Sequence, residues 1–136
     1  KGAALTLFSA SEDYRAARLE AYRRLAGAAT HEAVDDVVTE WQDRFGPLPP
    51  DAAALIDIAR IRVEALRLGI AEIVAMRREI KMAPVTLAQS QEVRLQRIAR
   101  GSVVRGGAIF VPASSEPVAA GVLEFLRTMW PPTLQE

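Results

Sequence analysis

Between Thr30 and Gly46 the apolar residues Val34, Val37, Val38, Trp41 and Phe45 recur at i, i+3, i+4, i+7 and i+11. That spacing is helical and puts all five on one side of an α-helix. No other feature constrains the fold as tightly. A strand, with its period of two, would scatter these side chains over both faces, and a helix so striped must bury them against a second element. Thr30 is placed to cap the helix. Gly46 can take the left-handed conformation that ends it, and Pro47 cannot continue it. On the opposite side sit Glu32, Asp36, Glu40 and Asp43, an acidic stripe along the exposed back.

The break Gly46-Pro-Leu-Pro-Pro50 is a stiff connector. Pro50 or Asp51 opens the next helix, since proline is tolerated in a first turn. Leu55, Ile58, Ile61, Ala65 and Leu68 line one face of it. Gly69 closes it, with Ile70 placed for the hydrophobic contact of a Schellman cap. The two helices should pack as a hairpin. Upstream, Ser9-Ala-Ser-Glu12 has capping-box spacing and predicts a helix from Ser11 to Ala26, ended by Gly27. Residues 1–10 have no clear period; a disordered or linker segment, a frayed end and a strand cut from a larger chain all fit.

After Gly69 the period changes. Ile70 to Met76 and Ile80 to Leu87 read as two strands, the second pushed to an edge or a bulge by Pro84. Gln89 to Ala99 reads as a helix with Val93, Leu95 and Ile98 as its apolar part. Val103-Val104 and Ala108 to Val111 flank Gly106-Gly107, which supplies the positive φ angles of a tight hairpin. Ser114-Ser115 caps a last helix with Pro117 in its first turn and Val118, Val122, Phe125, Leu126 and Met129 as its stripe. The expectation is an α+β chain. An N-terminal part of three helices, with a helix–Pro turn–helix unit, precedes a small antiparallel sheet with additional helices. The 136 residues form a single domain.

Composition excludes several classes of function. There is no cysteine, so disulfide scaffolds, thiolate metal sites and thiol nucleophiles are out. The longest strongly apolar run, Ala52 to Ile56, is far short of the ~20 residues of a membrane span. Nothing at the N-terminus reads as a signal peptide, and a cytoplasmic location is expected. The 17 basic and 17 acidic side chains cancel, which argues against a general polyanion binder. The zero is unevenly built: Thr30 to Asp57 holds seven acids against one arginine, and Ile58 to Arg105 holds ten bases against four acids. Such segregation concerns partners more than fold.

No motif carries chemistry. Phosphate-loop, dinucleotide and nucleophile-elbow patterns are absent, and no cofactor is called for. A serine triad would have to use His31, which reads as a solvated or capping residue in the first turn of a helix. The acidic stripe could hold a hard cation only if its carboxylates converged, and on one helix back they diverge. It reads as a solvated face or as a docking face for a basic surface. Arg94, Arg97, Arg100 and Arg105 raise nucleic-acid binding, but no aromatic residue interleaves with them.

One stretch is more specific. Glu40-Trp-Gln-Asp-Arg-Phe-Gly-Pro-Leu-Pro49, followed by Leu55-Ile-Asp-Ile-Ala-Arg-Ile-Arg62 and Leu68-Gly-Ile70, resembles the C-terminal domain of the bacterial transcription-repair-coupling factor, Mfd. That family carries E-L-x-D-R-F-G-x-L-P and then a helix of the L-L-D-I-A-R-L-R type ending in L-G-I. Arg18-Leu19 and Tyr22-Arg-Arg-Leu-Ala26 are similar to its R-L-x-x-Y-K-R-I-A element. Trp41 stands where the family has an aliphatic residue, on the side the period buries.

The resemblance implies a non-catalytic regulatory domain of a larger protein. The parent would be an ATP-dependent DNA translocase that displaces stalled RNA polymerase and recruits UvrA in nucleotide excision repair. The domain would dock on the UvrB-like N-terminal module of the same protein and mask the UvrA-binding surface. On that basis Glu40 and Asp43 are the expected docking residues, with Asp36 and Glu32 extending the patch. Arg44 is placed to orient Glu40 at i, i+4. Arg44, Phe45, Gly46, Pro47 and Pro49 are expected to set the turn. The alternatives are a nucleic-acid-binding accessory domain using the arginine-rich half, a small enzyme with its site between sheet and helices, and a purely structural domain.

Overall fold

The structure, a computed structural model, describes residues 5–9, 23–45, 47, 50–113 and 117–132. Their elements run β1 (Leu5–Ser9), α1 (Arg23–Ala26), α2 (His31–Phe45), α3 (Pro50–Leu68), β2 (Glu72–Ala75), β3 (Glu79–Ala83), α4 (Gln89–Ile98), β4 (Val103–Arg105), β5 (Ala108–Pro112) and α5 (Val118–Met129). The fold is α+β, as the periodicities require. One antiparallel sheet has the order β1-β2-β3-β5-β4. Most of the helix expected from Ser11 to Ala26 lies outside the described residues, as do Gly46, Pro49, Ser114 and Ser115. The last helix starts at Val118 with an extended Pro117 as its N-cap and no side-chain cap bond, so Pro117 precedes the first turn instead of lying in it and the serines are not the cap.

Local chemistry sets the ends of α2 and α3. The Thr30 hydroxyl accepts the Ala33 N–H at 3.0 Å, the side-chain cap the sequence implied. At the end of α3 the Ile70 N–H reaches the Ala65 carbonyl at 2.9 Å, and the Gly69 N–H reaches that of Leu66 at 3.4 Å, with Gly69 at φ 76°. This is the Schellman pattern, and the open space around Gly69 shows that its backbone angle, not crowding, calls for glycine.

Helix α3 is the axis of the molecule, because it is apolar on two opposite sides. Ile61 and Ala65 belong to the main core with Ile73, Met82, Leu95, Ile109, Leu126 and Met129. Ala59 and Val63 face the other way and join Leu25, Ala28, Val34 and Val37 in a second core, on which Trp41, Leu55 and Ile56 pack. The sequence reading assigned α3 one face. The second is built of small and β-branched residues whose meaning appears only once α2 lies against them.

The sheet is covered by helices on one face. Ile73, Ala75, Ile80, Met82, Ile109 and Val111 are buried there, while Val74, Lys81 and Phe110 alternate onto the other side. Strand β3 is central, not an edge: it pairs with β2 and β5. Pro84 is compatible with that because the ladder ends at Ala83, so its missing N–H is never required. Leu5–Ser9, left open by the sequence, form an edge strand paired with β2. The β4–β5 turn has Gly106 and Gly107 at φ 60° and 77°, as the Gly-Gly pair implied. Val93 is exposed, unlike Leu95, because α4 turns only a narrow side to the core.

Candidate functional site

The acidic stripe of α2 exists as a surface. Val34 and Val37 are buried and anchor the helix, and from its back Glu32, Asp36 and Asp43 are exposed. Glu40 differs from these three. It is half-buried, and Arg24 of α1 donates a hydrogen bond to it at 2.7 Å. The sequence suggested Arg44 as its orienting partner, but the Arg44 side chain lies outside the described residues. Asp35, beside the stripe, accepts from Arg60 of α3 at 2.6 Å. Exposed pairs of this kind contribute about 0.2–1 kcal/mol each. Pro47 is exposed after α2, where the turn begins.

The most constrained charge near this surface is Glu64, which sequence reasoning passed over. It is 2% exposed, on α3 between the core positions Val63 and Ala65. His31 Nε2 lies 2.6 Å from Glu64 Oε2. Arg67 donates to Oε1 through Nε at 3.0 Å and Nη2 at 2.5 Å, and the same Nη2 donates to the Trp130 carbonyl at 2.6 Å. Arg60 Nη1 stands 3.4 Å from His31 Nδ1. The His31 ring carries a proton on Nε2 and donates it to Glu64. So His31 is not the solvated residue its position suggested; its ring spans the gap between α2 and α3. Burial pushes the Glu64 carboxyl up. The His31 and Arg67 hydrogen bonds and charges outweigh it, and the carboxyl titrates below its ordinary value. The signal available in the sequence was an acid between two apolar positions on a helix rich in arginine, a pattern that Asp57 between Ile56 and Ile58 shares.

The arginines of the second half are partly engaged. Arg94 donates to the Met129 carbonyl at 2.8 Å, and the Arg105 guanidinium lies over the Phe110 ring at 4.8 Å. Arg97 and Arg100 are exposed. Between α4, α5 and the sheet lies a cleft of about 480 Å³ lined mainly by apolar residues, among them Ile98, Val118 and Phe125, with Arg100 and Glu124 as its titratable lining. Among the described residues no group of three or more His, Asp or Glu could hold a metal ion, and no helix is long and apolar enough to cross a membrane.

Residues 12–98 match the family model of the TRCF domain, and that span contains α2, α3, the acidic stripe and Glu64. The chain belongs to the TRCF-domain family. The transcription-repair-coupling factor of Mycobacterium tuberculosis (strain CDC 1551 / Oshkosh) is 40% identical to this TRCF domain over 89 residues, 65% of the chain and 7% of that protein. That of Escherichia coli K12 is 47% identical over 53 residues, 39% of the chain and 5% of that protein. That of Staphylococcus aureus USA300 is 39% identical over 54 residues, 40% of the chain and 5% of that protein. The chain therefore spans less than a tenth of these relatives' length.

Proposed function

We propose that this TRCF domain is a non-catalytic, autoinhibitory module of a transcription-repair-coupling factor and stands at its C-terminal end. Its parent would be an ATP-dependent DNA translocase of the bacterial cytoplasm. The translocase would displace stalled RNA polymerase and recruit UvrA for nucleotide excision repair. The domain docks through the acidic face of α2 on the UvrB-like module of the same protein and masks the surface that UvrA uses.

The observation that carries this is the exposed row Glu32, Asp36 and Asp43, with Glu40 beside it, on the back of a helix whose other side is locked into the core. A docking face that must be released should be modest and polar, unlike a severed core. Charge complementarity then supplies register and specificity more than affinity. Glu40 brings Arg24 with it, so its charge reaches a partner already screened; Asp43 is the stronger of the two expected contacts. The nucleic-acid alternative gains no support from Arg94 and Arg105, which are turned to a backbone carbonyl and an aromatic ring of the chain itself.

The mechanism is competition. The domain and UvrA share one surface, so the coupling between them equals the free energy of docking. Charge reversal of Glu40 and Asp43 in the full-length protein should remove ~1.5–3 kcal/mol of docking and raise apparent UvrA affinity about ten- to a hundred-fold. A UvrA titration of the folded variant that matches wild type would refute these two residues as contacts.

A further inference from the structure

Helix α2 is held to α3 at two ends by different means. At its C-terminal end the chain passes through the proline connector into α3. At its N-terminal end Leu25 and Ala28 of the preceding segment pack in the same core, and the polar contacts from α3 are three: Arg62 donates to the Ala28 carbonyl at 2.6 Å, Arg60 to Asp35, and Glu64 receives His31. Between the two ends Val34 and Val37 pack with Ala59 and Val63, and Trp41, Leu55 and Ile56 pack against them. Apolar contact is non-directional and fixes an angle less sharply than a hydrogen bond does. Hydrogen bonds weaken steeply with angle. Glu64 is the buried member of this group and accepts from His31 and twice from Arg67. A tilt of α2 that withdrew His31 would leave a desolvated carboxylate short of a donor, which is far more costly than stretching an exposed pair.

We propose that Glu64 is the positioning residue of the acidic face. Held between α2 and α3, its carboxylate fixes the angle at which α2 leaves α3, and with it where Glu32, Asp36 and Asp43 stand. Through Arg67 the same carboxylate is tied to the Trp130 carbonyl at the end of α5, so the sheet-bearing half and the acidic helix share one polar joint. The consequence for docking rests on the function proposed above; the effect on helix orientation does not.

The chain has no cysteine, so spin labels at Gln42→Cys on α2 and Leu66→Cys on α3, both exposed, report this angle without background. Three forms carry the label pair: the wild-type background, Glu64→Gln, and Ile61→Val as a core substitution that alters no polar contact. Docking to the UvrB-like module of the parent protein, added in trans, is titrated on the same forms. The proposal expects Glu64→Gln to shift or broaden the Gln42–Leu66 distance and to weaken docking about five-fold or more. Ile61→Val should leave both unchanged. His31→Ala breaks the same contact from the partly exposed side and serves if Glu64→Gln does not fold. An unchanged distance overturns the proposal, and so does a changed distance with unchanged docking. If the wild-type domain does not dock at all, the docking function fails, and the distance comparison alone decides the positioning role.

Discussion

His31 and Glu64 meet at 2.6 Å across the α2–α3 contact, and the Glu64 side chain is 3% exposed there. The pair joins the first turn of the acidic helix to the central helix of the fold. Its members are far apart in sequence and neither belongs to a recognisable motif.

The first prediction concerns acid stability. Hydrogen bonds from His31 and Arg67 hold the folded Glu64 carboxyl below its ordinary value of 4.5. A depressed folded pKa contributes stability that is fully present above the unfolded value and is lost as pH falls through the folded value. Wild type should therefore lose stability below about pH 4.5 more steeply than Glu64→Gln, and the gap between them should be widest near neutrality. Denaturant midpoints measured from pH 7 to pH 3 check this; parallel curves would contradict it.

A second prediction separates docking from folding at Arg24. The Arg24 side chain is 60% exposed and that of the half-buried Glu40 41%, so Arg24→Ala should change stability by less than about 1 kcal/mol. It also removes a cation beside the acidic face. Docking on a basic surface should tighten, by about two- to five-fold at low ionic strength, and the gain should fade as salt is raised. Titration at two salt concentrations reads this directly; weaker docking would mean that Arg24, not Glu40, makes the contact.

The third contrasts two apolar positions. Ile61 is fully buried between sheet and helices, and Val93 is 60% exposed on α4. Ile61→Ala should cost about 2–5 kcal/mol, and Val93→Ala should stay within about 0.5 kcal/mol. Equal effects in chemical denaturation would show that α4 packs differently from the arrangement described above.

Much of the architecture was legible locally. The period of Val34, Val37 and Trp41, the Thr30 cap, the Gly69 terminus and the Gly106-Gly107 turn each depend on residues within one or two turns of chain, and the structure has each in place. The acidic stripe follows from the same period. The string from Glu40 to Pro49 pointed to the family because it is long and contiguous.

What stayed hidden depended on distance in sequence. Pro84 looked like an edge signal, because the sequence does not show that the ladder stops at Ala83. That Arg24 stands beside Glu40 was not legible either, because the two are brought together by the packing of α1 on α2.

The sequence by itself thus determined α2 and α3 with the Thr30 and Gly69 ends, the β4–β5 hairpin and the charge pattern, since periodicity and backbone preference are properties of neighbouring residues. Tertiary structure alone decided that α3 is apolar on both sides, that β3 is central, and that one glutamate is buried among His31, Arg67 and the end of α5. The reason is physical. Burial and the satisfaction of a buried charge are set by which distant segments meet, and no local spacing records that meeting.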